Sequence, residues 1–257
     1  MQEIDLDNFT IIKSIGNNEE KSLLLIQDKV TNIKYVQTIY DITNLSEEAQ
    51  KKYIEDFKQI IKISQYPGFL PIFGYTLKDF EKKSNPTILA IDTSRKKLTD
   101  ILYGSMSNNF TDTNKYIILI GLCQLLKFLH LHVLSLDDIN IDAIYVDDHF
   151  YPQIDITKIT VSRDPNAFYD NFTKNVFSLS LIAYELIAGR KLEIKGDFID
   201  KETMLQKISE VKLKNIFEKC WCKTIRLHTP FLKIIDGIET NKESIWKIDE
   251  EKINDYY

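Results

Sequence analysis

The residues best suited to chemistry lie in one stretch, SLDDINIDAIYVDDHFYPQIDITKI, which covers residues 135–159. It contains Asp138 and Asp155, and a carboxylate can orient a substrate hydroxyl or bind Mg²⁺. The alternation of polar and apolar residues is typical of a loop carried between short strands. The side chains of Ala143 and Ile156, in contrast, offer no oxygen and no proton to a reaction. The stretch therefore has the pattern of a catalytic loop in which most reactive groups have been replaced.

A β-rich region precedes this stretch. Turn-forming Asn, Gly, Asp and Thr residues separate three apolar runs and predict an antiparallel meander. A helix is predicted over residues 46–63, because Ser46 can cap its start and apolar residues recur at helical spacing. Two more strands are predicted after it. The five predicted strands are FTIIKSI, KSLLLIQD, KYVQTIY, GFLPIFGYTLKD and PTILAID.

The remainder of the chain is predicted to be mostly helical. Helices are expected over 114–132 and 175–189, and Gly189 is a suitable residue to end the second one. Two further amphipathic helices are predicted over 213–225 and 230–239. We therefore predict an α+β fold with a β-rich lobe over 1–91, a hinge over 92–97 and a helical lobe over 98–257.

Composition excludes several classes of protein. The 257 residues are 44% hydrophobic with a net charge of −5, which disfavours both disorder and a basic nucleic-acid surface. No uninterrupted apolar run reaches the roughly 18 residues needed to cross a bilayer. Cys123, Cys220 and Cys222 form an odd set without framework spacing, as expected of reduced thiols. The composition thus predicts a cytoplasmic protein without a membrane span or a nucleic-acid partner.

Three segments, in order, resemble the eukaryotic protein kinase domain. Together with the β-rich region, they extend the resemblance over nearly the whole chain. It implies two lobes, a small antiparallel sheet with one main helix and a larger, mostly helical lobe. The segment FLHLHVLSLDDINIDAIYVDDHFYPQIDI is similar to the catalytic loop of kinases with its following strands. NVFSLSLIAYELIAGRK is similar to the segment that begins D-V-Y-S-F-G, and LKNIFEKCWCKTIRLHTPF is similar to the C-W…R-P-T-F region.

The resemblance assigns four residues to a degenerate nucleotide site. Gly16 matches the first glycine of the phosphate-binding loop, and Thr38 replaces the strand lysine that pairs with phosphates. Val36 is expected over the adenine site, and Ala90 at the gatekeeper position. A neutral hydroxyl cannot replace an ammonium charge, so triphosphate binding is not expected here. The apolar character of Val36 and Ala90 is equally explained by ordinary core packing.

The resemblance also identifies losses in the catalytic loop. The H-R-D triplet becomes Leu136-Asp137-Asp138, so Asp138 retains the catalytic-base carboxylate while Asp137 reverses the arginine charge. Ala143 replaces the metal-binding asparagine, and Asn175 replaces the aspartate that braces the loop. Removing a single electrostatic stabiliser commonly costs about 10²–10³ in rate. The joint losses therefore predict little phosphate transfer.

The metal-binding D-F-G triplet has two possible registers. A gapless count from the catalytic loop, which we favour, places Ile156-Thr157-Lys158 there, without any carboxylate. A turn one residue shorter places Asp155-Ile156-Thr157 there, and Asp155 could then bind a metal. A one-residue slip turns side chains to the opposite face of a strand, so the two registers exclude each other.

The leading prediction is a pseudokinase, a catalytically inactive kinase-like module that binds or scaffolds other proteins, such as signalling components. No cofactor is then expected. The alternative is a protein kinase with weak or atypical activity that uses ATP, Mg²⁺, Asp138 and Asp155. A third hypothesis is a cleft that holds a non-nucleotide ligand or is filled by side chains. The sequence does not name a partner, a kinase subfamily or an oligomeric state.

Overall fold

The computed structural model describes residues 1–17, 21–91, 96–104, 110–137, 139–161, 164–189 and 191. The chain divides into two compact units, Met1–Ser94 (unit 1) and Arg95–Tyr257 (unit 2). Unit 1 contains a six-stranded sheet, and four helices are present in the described chain. The predicted α+β class is therefore confirmed.

Unit 1 is built around one sheet with the strand order β1-β5-β6-β4-β3-β2. Neighbouring strands are antiparallel except for β1 and β5, which are parallel. The predicted meander forms the half of the sheet made by β2, β3 and β4. The strands are β1 (Gln2–Glu3), β2 (Phe9–Asn17), β3 (Lys21–Asp28), β4 (Lys34–Tyr40), β5 (Ile72–Thr76) and β6 (Thr87–Ile91).

The described part of unit 1 contains one α-helix, α1 (Glu47–Ile63), as the spacing of apolar residues predicted. The Ser46 hydroxyl caps it by accepting a hydrogen bond from the Ala49 amide at 3.3 Å. The buried Phe57 ring lies 5.9 Å from the Tyr40 ring and 6.2 Å from the Tyr75 ring, centroid to centroid. The helix is thereby packed against β4 and β5 through aromatic side chains.

A hydrophobic cluster packs on the sheet of unit 1. Ile26 pairs with Tyr35 across β3 and β4, and Leu89 on β6 is fully buried beside them. Leu6 and Phe9 complete the buried cluster. Because side chains alternate along a strand, Tyr35 projects to the face opposite Val36. The cluster therefore leaves the other face of the sheet to α1 and to the predicted nucleotide residues.

Unit 2 combines helices with short strands. One sheet has the order β10-β9-β7, and β11 pairs with β8 in a separate antiparallel pair. The strands are β7 (Lys96–Lys97), β8 (Leu134–Leu136), β9 (Ile144–Val146), β10 (Pro152–Ile154) and β11 (Ile159–Val161). The helices are α2 (Leu98–Tyr103), α3 (Asp112–Leu131) and α4 (Pro165–Ala188).

Helix α3 supplies much of the core of unit 2. It begins two residues before the predicted start, because Thr111 and Asn114 form a reciprocal capping box. By length and composition alone α3 could cross a membrane, and it is the one such helix in the described part of the chain. However, 72% of its most apolar window is buried within the protein, as is usual for a core helix.

Helix α4 begins ten residues before the predicted position 175 and ends at Gly189 as predicted. Asp164 caps its start by accepting from the Asn166 amide at 3.0 Å. The added turns bury Phe168 and Phe172, whose ring centroids lie 5.8 and 4.1 Å from that of His130 on α3. Packing between the two helices explains the longer α4. The helices predicted over 213–225 and 230–239, with Cys220 and Cys222, lie outside the described residues.

Candidate functional site

Gly16, Val36, Thr38 and Ala90 lie on one face of the sheet, which we call the predicted nucleotide face. Gly16 is opposite Leu23, Leu23 opposite Thr38, and Thr38 opposite Ile88, across four neighbouring strands. Val36, two residues before Thr38 on β4, is opposite Ala90, two residues after Ile88 on β6. Directly opposed residues project to the same side of a sheet, as do residues two apart. The register thus brings together the four residues that were assigned individually from the sequence.

The chemistry of this face is neutral at its centre. Thr38 is buried, with 7% of its surface exposed, and its cross-strand neighbours are Leu23 and Ile88. The row that runs from Gly16 to Ile88 therefore contains no cationic group. Two lysines lie on the same face at the side of this row. Lys21, two residues before Leu23, is opposite Tyr40 and has its ammonium group 5.2 Å above the Tyr40 ring, and Lys13 is opposite Leu25, which is opposite Val36. Nothing in the row could balance the charge of a phosphate.

The backbone at Gly16 does not depend on a glycine. Its φ angle is outside the left-handed region, and a Cβ built there would lie 3.2 Å from the Leu23 Cδ1 atom. That distance is tight, but the neighbour is the end of a flexible side chain. Residues 18–20, which complete the predicted phosphate loop, lie outside the described residues. Gly16 alone does not form a phosphate cradle, since such a cradle requires several converging amides.

Helix α1 presents an aromatic ring, not a carboxylate, to the neighbouring strands. In the kinase family a glutamate of this helix pairs with the strand lysine, and the resemblance puts that position at Asp56, or at Glu55 if the helix is phased one residue differently. With Thr38 in place of the lysine, both are expected to be surface residues. Glu55 is exposed and Asp56 is half-buried, while the adjacent Phe57 is the buried residue. Aromatic packing therefore fixes this turn of the helix.

In unit 2, β8, the strand before the predicted catalytic loop, is held by Asn175. The Asn175 Oδ1 atom accepts a hydrogen bond from the Leu136 amide at 3.0 Å, and its Nδ2 atom donates to the Leu136 carbonyl at 2.6 Å. Asn175 is 1% exposed. A carboxylate could make only the first of these bonds, because it has no proton to donate. Asparagine thus satisfies both backbone groups of a strand residue that pairs with β11 on its other edge.

Asp137 is tied to the same pair of strands. Its amide donates to the Lys158 carbonyl at 2.8 Å, and its carboxylate accepts a hydrogen bond from the Thr160 hydroxyl. Asp137, which the sequence comparison predicted at the arginine position of kinases, is therefore engaged with Lys158 and with Thr160 on β11. The predicted catalytic base, Asp138, lies outside the described residues.

The loop after Asp137 is closed by a local cap. The Asn140 side chain accepts a hydrogen bond from the Ala143 amide at 3.1 Å and so caps the 3₁₀ turn Ile141–Ala143. Ala143 projects only a methyl group. It cannot provide the side-chain oxygen that a hard cation such as Mg²⁺ requires. Ala143 therefore cannot act as a metal ligand through its side chain.

The structure separates the roles of Asp155 and Ile156. Asp155 directly follows β10 and is half-buried, and its carboxylate accepts a hydrogen bond from the Thr157 amide at 2.9 Å. This bond caps the 3₁₀ turn Ile156–Lys158. Ile156 is 1% exposed and belongs to the core. Of the two residues, Asp155 alone offers an oxygen, so any metal ligand here has to come from the shifted register.

Sequence reasoning missed a polar contact between α2 and α4. The Tyr103 hydroxyl donates to the Glu185 Oε2 atom at 2.6 Å, and Glu185 is buried. Burial, followed by this hydrogen bond and the charge of Glu185, raises the pKa of Tyr103 well above its usual value. No local sequence pattern predicts this contact, because the two residues are 82 positions apart.

The described residues contain no group of three or more histidine, cysteine, aspartate or glutamate side chains placed to hold a metal ion. A scan against protein-family models found no match to the chain, and a search of curated proteins found no similar sequence. Its function therefore has to be argued from the residues and their geometry.

Proposed function

We propose that the chain is a pseudokinase, a protein-kinase-like module that binds other proteins without transferring phosphate. The observation that carries this proposal is the row Gly16–Leu23–Thr38–Ile88 across the sheet of unit 1. Its centre is a buried hydroxyl between two aliphatic side chains. Phosphoryl transfer depends on cations that neutralise the charge developing on the phosphate. The absence of a cation at Thr38, where the resemblance expects the phosphate-binding lysine, supports a role without phosphate transfer.

The architecture of each unit is compatible with a kinase-like fold. Unit 1 has an antiparallel meander and a single α-helix, and unit 2 has helices with short strand pairs. Asn175 holds the strand before the catalytic loop by its amide. Because an amide makes both bonds without a charge, this part of the scaffold is stable without the carboxylate of active kinases. We therefore propose a kinase-like arrangement of helices and strands in which the catalytic residues have been replaced.

Phosphate transfer gives the direct test. The purified full chain is incubated with γ-³²P-ATP, Mg²⁺ and generic Ser/Thr and Tyr peptide substrates, beside the Asp138→Ala variant. We expect the labelling by the two proteins to be indistinguishable. Magnesium-dependent transfer that disappears in the Asp138→Ala variant would overturn the proposal.

Weak kinase activity is the second candidate, and one observation favours it. Asp155 directly follows β10 and keeps a partly exposed carboxylate, as a single metal ligand would require. This candidate predicts ATP binding that depends on Mg²⁺. A ligand at about 100 times its dissociation constant adds roughly 2.7 kcal/mol to the free energy of unfolding. A thermal unfolding curve that stays flat across ATP and Mg²⁺ titrations would argue strongly against it. A shift that disappears in Asp155→Asn, together with transfer in the labelling experiment, would favour it over the pseudokinase.

A further inference from the structure

We propose that a surface cavity of unit 1 binds a small amphipathic anion, meaning a carboxylate or phosphate carried on an apolar group. The cavity lies where the C-terminal half of α1 meets β5 and the start of the chain. It has a volume of about 380 Å³ and shares no residue with the predicted nucleotide face. Its lining residues are Met1, Lys58, Ile61, Lys62, Gln65 and Tyr75.

The walls of the cavity are connected by hydrogen bonds. Strand β1 pairs in parallel with β5, so that Glu3 lies opposite Tyr75, and the Ile4 amide donates to the Tyr75 carbonyl at 2.8 Å. Just beyond the end of α1, the Ser64 hydroxyl donates to the Ile61 carbonyl at 2.7 Å, and the Met1 sulfur contacts the Ser64 Oγ atom at 3.6 Å. The first residues of the chain are therefore paired with β5 and lie in contact with the end of α1.

The charge of the cavity is positive. Lys58 and Lys62 are four residues apart, which places them on the same side of α1. Both are exposed, and neither forms an ion pair with another residue in the described part of the chain. No acidic side chain is among the lining residues. Two ammonium groups on one helix face repel each other, and an anion placed between them removes that repulsion.

The floor of the cavity is apolar. Ile61 is 6% exposed, and the Tyr75 ring packs against the buried Phe57 ring at a centroid distance of 6.2 Å. Burial of apolar surface here favours a ligand with a hydrocarbon part next to its charge. The volume is near the lower limit of ordinary ligand sites, which begin at about 300 Å³. A chain of about ten carbons with one anionic group matches both features.

Isothermal titration calorimetry on the full chain tests this site. The probes are decanoate and decyl phosphate, below their micelle concentrations, with decanol and inorganic phosphate as partial ligands. Lys58→Gln/Lys62→Gln removes both charges from the cavity. Lys51→Gln/Lys52→Gln is the matched control, since it makes the same charge change on exposed residues of α1 outside the lining. Decanoate and decyl phosphate tell a carboxylate site from a phosphate site.

We expect one binding site for at least one amphipathic anion, with affinity lowered about tenfold by the cavity substitutions and less than about twofold by the control. Decanol and inorganic phosphate should each bind at least about tenfold more weakly. Equal weakening by both pairs of substitutions would show a general charge effect and overturn the proposal. The absence of binding would also overturn the proposal, as would equal binding of decanoate and decanol. In either case the charges of Lys58 and Lys62 would serve only to stabilise the C-terminal end of the helix dipole.

Discussion

The side chain of Asn175 on α4 makes two hydrogen bonds to the backbone of Leu136, one accepted from its amide and one donated to its carbonyl. Leu136 is also paired with Ile159 on β11, so both edges of this strand residue are engaged. Asn175 therefore connects α4 to β8, the strand that leads into the predicted catalytic loop. The amide is matched to this role because it carries both a donor and an acceptor.

Replacing Asn175 by Asp should destabilise the protein in a pH-dependent way. A carboxylate cannot donate to the Leu136 carbonyl, and leaving a buried group unsatisfied costs about 1–3 kcal/mol. Burial beside a carbonyl raises the pKa of the introduced carboxyl in the folded state, so the loss should grow as pH rises from about 4 to 7. Urea unfolding across this range measures it.

The matched control for this experiment is Asn166→Asp, which makes the same charge change at an exposed residue in the first turn of α4. It should leave the free energy of unfolding within about 0.5 kcal/mol of the wild type. If Asn175→Asp behaves like the control at pH 7, the two hydrogen bonds do not hold the strand.

Replacing Gln37 by Met should stabilise the protein. Gln37 is fully buried on β4, and neither its Nε2 nor its Oε1 atom has a hydrogen-bond partner among the described residues. It lies opposite Leu24 and Leu89, two apolar side chains. Burying an unsatisfied amide costs about 1–3 kcal/mol, and methionine has a similar shape without that cost.

Urea unfolding of Gln37→Met should therefore give a free energy of unfolding about 1–2 kcal/mol above the wild type. Gln59→Met, on the exposed side of α1, is the control and should change it by less than about 0.5 kcal/mol. A loss of stability in Gln37→Met would contradict the prediction and point to a water molecule that satisfies the amide.

Thr38→Lys, which introduces the lysine expected from the proposed kinase resemblance, should lower stability. The new ammonium group would be placed between Leu23 and Ile88 at a position that is 7% exposed. An unpaired buried charge typically costs about 3–5 kcal/mol. Thr10→Lys, at an exposed residue of β2, is the control and should be nearly neutral. Equal unfolding midpoints for the two variants would mean that the Thr38 site can accept a charge.

The contact between Tyr103 and Glu185 should make stability fall at alkaline pH. The pKa of Tyr103 is raised on folding, so the unfolded chain loses this proton first. The contribution is complete below about pH 10, the unfolded pKa of tyrosine, and decreases as pH rises above it. Tyr103→Phe should flatten the curve of stability against pH between about 9 and 11, measured by urea unfolding.

The control for the alkaline experiment is Tyr169→Phe, which removes an exposed phenol from the same unit. It should leave the slope of the wild-type curve unchanged. Burial also raises the pKa of Tyr35 and of Tyr66, so part of the slope should remain in Tyr103→Phe. A wild-type curve that is flat to pH 11, or a slope that Tyr103→Phe leaves unchanged, would argue against this linkage.

The sequence by itself determined the local elements. Ser46, Gly189 and the alternating strands of the meander are recognisable because caps and periodicity depend on neighbours within a few residues. The neutral character of position 38 is also visible directly, since it follows from the residue type. These features do not need a partner far along the chain.

Only the tertiary structure decided the contacts that link distant residues. The pairing of Asn175 with Leu136, separated by 39 positions, and that of Tyr103 with Glu185 depend on how helices pack. The early start of α4 likewise follows from packing on His130. The difference between Asp155 and Ile156 depends on where β10 ends, because Asp155 then caps the following 3₁₀ turn while Ile156 enters the core. These contacts depend on the free energy of packing the whole unit, which cannot be read from a local sequence pattern.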